Sequence, residues 1–345
     1  MRLDDLGDPP FAAPPPTGTL TDIAPGLRWL RLPLPFRLDH VNVYLLDDAD
    51  GTTLVDTGIF DVATRAVWDR LLPGLTAEGR PVRRIIATHC HPDHVGMAGW
   101  IAERTGAPLL MSASEYLTSL SIHLDPSALE AEPYRSFYTG HGLDAAATGR
   151  LLHNGHSYLR MVSPLPRLFR RVIAGEQLTI GARHWDVLTG GGHSPEQVML
   201  HCPADGLLLC ADQVLARISP NISVQAMDPD GDPLGIYLRS LDSLAAMIPD
   251  HTLALPGHNL PFYGVRARVA ELAAHHAARL VAILDACSTG PLSAAALVPV
   301  VFGRTIEDPH QMGFAFSEAL AHANLLVRRN ALTRVSGRFQ RTGGL

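Results

Sequence analysis

Residues 88–96 read Thr-His-Cys-His-Pro-Asp-His-Val-Gly, directly after the apolar run Ile85-Ile86-Ala87. Three histidines and an aspartate thus occupy the six positions 89–94, at the mouth of a predicted strand. In an extended loop His89 and His91 point to the same side, so both imidazoles can reach one metal ion. Asp93 and His94 lie beyond a proline turn and can be aimed at a second ion close by. One ion would need only a third ligand, whereas this segment offers four donors, so further ligands are expected from other strand ends. Cys90 alternates with the two histidines and is expected to face the core.

Four other strand ends supply candidates. "TGGGHSPEQ" places His193 in a glycine-rich turn, where backbone can approach a ligand closely. "GLLLCADQV" ends an apolar strand on Asp212, a carboxylate that needs a partner if buried. "LALPGHNLP" places His258 in the same way, and "TLVDTG" places Asp56. The five histidines with Asp93 and Asp212 form a borderline N/O donor set suited to two Zn²⁺ ions, with Fe or Mn as alternatives. Two divalent ions, two carboxylates and a bridging hydroxide carry a net charge near +1 by simple addition, which lowers the pKa of bound water toward ~7. No serine nucleophile is then needed, and no Gly-x-Ser-x-Gly motif is present. The remaining histidines, including His123, His141, His153, His156, His275, His276 and His310, lie off these positions and are assigned to packing or surface.

Around this segment the chain alternates strand and helix through about residue 112, the pattern of a layered α/β fold. Strands are predicted at 27–34, 41–46, 52–58, in "RRIIATH" and in "APLLMS", with a helix over "DVATRAVWDRLLPGL". Residues 113–172 break the rhythm and read as a helical insert. Strands resume in "EQLTIG", "RHWDVLTG", "EQVMLHC" and "GLLLCAD", followed by a helix over 233–247. Residues 1–19 are proline-rich and read as a flexible arm, acidic rather than a basic-then-apolar leader. No apolar run reaches the ~20 residues of a membrane span, so a cytoplasmic location is expected. The net charge of -6 argues against general nucleic-acid affinity. The four cysteines show no paired spacing, which argues against a disulfide framework or a thiolate zinc site.

The ordered set Asp56, His89-x-His91-x-Asp93-His94, His193, Asp212 and His258 resembles the metallo-β-lactamase superfamily, over roughly residues 20–264. The likeness lies toward its glyoxalase II and β-lactamase-like-2 groups. The resemblance implies a four-layer αββα sandwich with a dinuclear zinc site on one edge and a helical insert. It further implies that His89, His91 and His193 hold the first metal, that Asp93, His94 and His258 hold the second, and that Asp212 bridges. Asp56 is similar to the family's buried aspartate, which supports the ligand loop; Asp93 and Asp56 are the candidate catalytic carboxylates. The chain departs from typical glyoxalase II, whose glutathione-binding residues have no evident counterpart. It also lacks the cysteine ligand of one class of true β-lactamases.

The domain division expected is an arm over 1–19, a catalytic domain over 20–267 and a C-terminal domain over 268–345. The last is winged-helix-like, with three helices and a hairpin in "TRVSGRFQRT". Its third helix is largely apolar, with Arg328 and Arg329 only at its end, so DNA reading is disfavoured and packing or homodimer pairing preferred. The insert's apolar residues are expected to roof the metals. Tyr158 with Arg167, Arg170 and Arg171 would then contact a small-molecule substrate that is anionic and partly apolar. Hydrolysis of an ester or thioester, of acyl-CoA or lactone type, is the favoured reaction. A metal-dependent (ribo)nuclease and β-lactam hydrolysis are the alternatives.

Overall fold

The computed structural model describes residues 11–127, 131–155 and 157–342. Residues 1–10 of the expected arm, His156 and the side chain of His310 lie outside the described residues. The chain divides into two compact units: Met1–Leu124 with Tyr158–Pro220 and Leu244–Arg268, and Asp125–Ser157 with Asn221–Ser243 and Val269–Leu345.

The first unit is built on two sheets. The larger has seven strands in sequence order: β1 (Leu20–Ala24), β2 (Leu27–Pro33), β3 (His40–Asp48), β4 (Gly51–Val55), β5 (Val82–Ile86), β6 (Leu109–Met111) and β7 (Arg170–Arg171). The smaller contains β8 (Gln177–Ile180), β9 (Arg183–Gly190), β10 (Gln197–Cys202), β11 (Leu207–Ala211) and β12 (Leu253–Pro256), in the order β12-β11-β10-β9-β8. Strands that are apolar at consecutive positions are buried on both faces. In β3, Val41, Val43 and Leu45 join a core with Trp68 and Leu72 of α1 (Val62–Ala77) and Ile101 of α3 (Ala98–Thr105). The alternate residues Tyr44 and Leu46 join Trp29, Ile86, Trp185, Leu200, Leu209 and Leu255 between the sheets. Met199, Leu208, Cys210 and Ala254, on the far face of the smaller sheet, are buried too. The fold is the mixed α/β sandwich expected from the sequence.

Strand direction decides where the ligands meet. β4 and β5 are parallel, as are β11 and β12. β10 is antiparallel to both β9 and β11, so β9 and β11 run the same way. Each sheet therefore brings the C-terminal ends of its ligand-bearing strands to one edge. The edges are fastened by backbone, with Val198 N donating to Thr88 O (2.8 Å) and Asn42 N to Gly257 O (2.7 Å). The residues that follow the ligand loop form two short helices, α2 (Pro92–Val95) and α3. At Gly96, between them, a Cβ would meet the carbonyl oxygens of Pro92, Gly58 and Met161 at 2.3–2.7 Å.

Residues 11–19 are not a free arm. Phe11 packs edge-on to Trp29 at 5.6 Å. Gly18 N donates to Arg31 O, and the Gly18 carbonyl accepts from the Arg70 guanidinium. The insert is also not one roof. α4 (Ala113–Leu124) and residues 158–172 belong to the first unit, whereas α5 (Glu132–Gly140) and α6 (Ala145–Gly155) belong to the second. The short helix α7 (Ser157–Met161) leads back toward the larger sheet.

The second unit also contains most of α8 (Pro233–Met247) and α9 (Val265–Ala286), followed by α10 (Ala294–Phe302) and α11 (Pro309–Arg328). A three-stranded sheet, β13 (Leu292–Ser293), β15 (Arg338–Arg341) and β14 (Leu332–Val335), completes it. Ser336 and Gly337, both at positive φ, turn the expected hairpin. The rings of Phe137 and Tyr138 lie 6.0 and 5.6 Å from Phe316 of α11, so these insert residues fill the core of the second unit. Arg268 still bonds Leu215 O and Ile218 O of the first unit, and the last segment of the second unit starts at Val269, one residue beyond the expected boundary.

Because the second unit is assembled from three chain segments, its C-terminal part is not a separable tail. Deletion of 269–345 removes Phe316 and leaves Phe137 and Tyr138 without their packing partner. The truncated chain is expected to aggregate or to lose its cooperative melt. A monomer with unchanged Tm, by size exclusion and calorimetry, would contradict this.

Candidate metal centre

All seven expected ligands converge. Three groups of donors lie within 4.8 Å: His89, His91 and His193; His89, His94 and Asp212; and Asp93, His94 and His258. Asp212 lies between the outer two. Its Oδ1 is 3.5 Å from His94 Nε2, and its Oδ2 is 3.1 Å from His258 Nε2 and 3.6 Å from His193 Nε2. Asp93 Oδ2 lies 3.3 Å from His258 Nε2 and 3.6 Å from His94 Nε2. His89 Nε2 and His91 Nδ1 are 3.0 Å apart.

The ring orientations follow from Asp56. This buried carboxylate accepts from Thr88 N (2.8 Å), Thr88 Oγ1 (2.9 Å) and His94 Nδ1 (2.8 Å). With its proton on the Asp56 side, the neutral His94 ring turns a bare Nε2 toward Asp212. Thr88 directs its hydroxyl proton at Asp56, so its oxygen accepts from His89 Nδ1 (2.9 Å) and leaves His89 Nε2 bare as well. His258 Nδ1 donates to His40 O (2.8 Å), which frees its Nε2 in turn. An imidazole whose other nitrogen is hydrogen-bonded to a carboxylate or carbonyl is oriented for a metal.

These residues fit a pair of divalent cations. His94 Nε2 and Asp212 Oδ1 are buried, make no hydrogen bond and face one another, an arrangement that requires positive charge between them. Burial works against a charged His94, but the Asp212, Asp93 and Asp56 carboxylates outweigh it and hold the ring well above its ordinary pKa. His258 behaves alike: burial is overcome by Asp212 and Asp93, and its pKa rises to about 10. The three-histidine group goes the other way. Burial and the neighbouring imidazoles push His89 far down, and burial with His193 takes His91 to about 3. Both therefore offer bare lone pairs at neutral pH.

Close packing at the centre depends on Gly257. A Cβ there would stand 2.3 Å from Asp212 Oδ1 and 2.7 Å from His94 Cε1. Asp56, Ala211 and Asn259, at the ends of β4, β11 and β12, hold φ of 65°, 43° and 67°. Left-handed backbone in non-glycine residues costs about 1–2 kcal/mol each and gathers at functional sites.

Other expected positions fall differently. Cys90 is buried and makes no part of the donor groups, as its alternation requires. Tyr158, expected at the substrate, turns its hydroxyl onto Cys90 O (2.7 Å) and shares a bond with Ser119 Oγ (2.8 Å). Arg167, Arg170 and Arg171 are all exposed. Arg170 and Arg171 are the two successive residues of β7, so they leave opposite faces of the sheet and do not form one fork. His123 and His141 bond helix carbonyls, which makes them packing residues. A fourth donor group, His276, Glu318 and His322, lies in the second unit. Its carboxylate is already engaged by Arg279 and Asn221, which makes it a core hydrogen-bond network.

Several supporting residues were not anticipated. Asn42 accepts from Trp29 Nε1 and donates to Pro256 O and Asn259 O, tying β3 to the His258 loop. His40 Nε2 accepts from Asn259 N (2.9 Å) in the same place. Glu115 accepts from two ligand-loop amides. In sequence these look like ordinary strand or helix polar residues; only Thr88, adjacent to His89, was signalled by the motif.

Residues 36–258 match the family model for the metallo-β-lactamase superfamily. The chain belongs to this superfamily. Residues 280–342 match the metallo-β-lactamase-like C-terminal domain. A β-lactamase domain protein from Burkholderia ambifaria is 43% identical, with a TM-score of 0.87 over 97% of each chain. A metallo-β-lactamase family protein from Thermus thermophilus is 32% identical, with a TM-score of 0.78 over 93% of this chain and 100% of its own. A linear primary-alkylsulfatase from a Pseudomonas strain is 24% identical over 66% of this chain and 43% of its own length, so the present chain spans less than half of that relative.

Asp212→Ala removes the carboxylate that lies between the two outer groups and is expected to lose metal outright. Asp56→Asn puts a donor where Asp56 Oδ2 accepts, which disturbs both the His94 and His89 orientations. It is expected to weaken metal binding ~10–100-fold while retaining more metal than Asp212→Ala. Elemental analysis of both variants checks this, and equal loss would contradict the division of roles. Gly257→Ala should lower metal content without unfolding the chain; unchanged content would show that the close approach is dispensable.

Proposed function

We propose that this protein is a dinuclear, zinc-dependent hydrolase that cleaves an ester or thioester. The observation that supports it most directly is Asp212, whose two oxygens turn toward different imidazoles from between the two outer donor groups. His89, His91 and His193 would hold one cation and Asp93, His94 and His258 the other, with Asp212 common to both. When bound, such a pair of cations supplies Lewis acidity to the scissile group and lowers the pKa of water at neutral pH.

The protein's own groups do the rest. Asp56 turns Nε2 of His94 and, through Thr88, Nε2 of His89 toward the metal position, and His40 O does the same for His258. The Asp93 side chain is 20% exposed, and with the half-buried His91 and His193 it marks the open side of the centre. Its Oδ2 faces His94 and His258, so Asp93 would help hold the second cation and, with its other oxygen, could accept a proton there. The centre lacks a cysteine donor among the described residues, which disfavours β-lactam hydrolysis of the cysteine-ligand type. The named activity of the alkylsulfatase relative, which concerns a sulfate ester, brings that bond type into the test.

The deciding experiment is a turnover panel of acyl-CoA thioesters, neutral esters, lactones, alkyl sulfates, phosphodiesters, RNA and β-lactams, with metal-replete and chelator-treated protein. Carboxylic ester or thioester turnover that is lost on chelation, restored by Zn²⁺ and reduced at least ~100-fold in kcat/KM by His91→Ala is expected. If phosphodiesters, RNA or alkyl sulfates are turned over and carboxylic esters and thioesters are not, the substrate reading is wrong. Activity indifferent to chelation and to His91→Ala would end the metal-hydrolase reading altogether.

A further inference from the structure

We propose that Glu115 is a positioning residue for one half of the metal centre, fastening together the two loops that carry His89, His91 and His193. The inference rests on the metal-centre reading above. Glu115 lies in the first turn of α4 and is fully buried. Its Oε2 accepts from Cys90 N at 2.9 Å, and its Oε1 accepts from Glu196 N at 2.7 Å. Cys90 separates His89 from His91, and Glu196 lies three residues after His193. One carboxylate thus spans both segments that supply the three-histidine group.

Each of these loops is held a second time. The Tyr158 hydroxyl donates to Cys90 O at 2.7 Å, so the peptides on either side of the Cys90 Cα are both fixed, one leading from His89 and the other to His91. Ser112 Oγ donates to Glu196 O at 2.8 Å. Two successive peptide planes fixed in this way set the directions of the flanking side chains. The opposite half of the centre is held by different groups: His94 by Asp56 and His258 by His40 O. Glu115 should therefore act on one metal and not the other.

The chemistry asks for a carboxylate. An ionised Glu offers an acceptor oxygen to each amide, whereas Gln has one acceptor oxygen and one donor group. Glu115→Gln keeps the size of the side chain and breaks one of the two links. Tyr158→Phe is milder still, deleting only the bond to Cys90 O and the one to Ser119.

The test is a Co²⁺ titration of chelator-stripped protein, followed by visible absorption and elemental analysis, with thermal melts alongside. Wild type should take two equivalents. Glu115→Gln should keep one tight equivalent, with the other weakened ~10–100-fold and the nitrogen-rich part of the spectrum lost. Tyr158→Phe should shift the same equivalent by less. Ser114→Ala, which removes only a bond to the Glu196 side chain, should bind as wild type. Two equivalents bound as tightly by Glu115→Gln as by wild type would overturn the proposal, as would equal weakening of both. If Glu115→Gln does not fold, Tyr158→Phe decides alone, and an unshifted titration overturns the proposal. No Co²⁺ uptake by wild type would instead sink the metal-centre reading itself.

Discussion

The Asp56 carboxylate is the constraint on which the rest of the centre depends. It accepts three hydrogen bonds in a buried site, and two of them determine which nitrogen of a neighbouring imidazole is left bare. A buried carboxylate stripped of such donors would cost several kcal/mol, so the Thr88 and His94 contacts stabilise Asp56 as much as Asp56 orients them. The residue sits at φ 65°, a conformation that Asp tolerates better than most side chains. That turn points the carboxylate back under the 88–94 loop instead of onward along β4.

The centre also requires that two separate sheets keep their edges in step. The start of β3 does this from one side, where His40, Asn42 and Tyr44 each bond the 256–259 segment. Thr88 O does it from the other, accepting from Val198 N at the start of β10. These are main-chain bonds or bonds to main chain, and they fix the position of the ligand loops independently of any ligand. The buried Trp29 and Trp185 in the core between the sheets supply the apolar area that makes this alignment stable.

Much of this was legible in the chain itself. His89, His91, Asp93 and His94 announce themselves because metal chemistry needs those residue types within a few positions of one another. Asp56, Asp212 and His258 each follow a short apolar run, and His193 follows three glycines. The strands were readable because β3, β5 and β11 carry apolar runs too short for helices. β1, β7 and β13 were not, since β1 alternates weakly and the other two are only two residues long. The roles of Tyr158, Glu115 and Asn42 could not be read at all. A tyrosine or glutamate in a helix has the same local signature whether it faces solvent, substrate or a backbone amide far away in the chain.

The sequence by itself determined the donor set, its order and the strand ends that carry it, because each of these is a local matter of residue type and hydrophobic run. Only the tertiary structure decided which nitrogen of His89, His94 and His258 faces the centre, that Glu115 spans the two loops of the three-histidine group, and that Phe137 and Tyr138 pack on Phe316 in the second unit. Those outcomes depend on contacts between residues far apart in the chain, and strand direction and sheet alignment, which no local pattern encodes, set which of them meet.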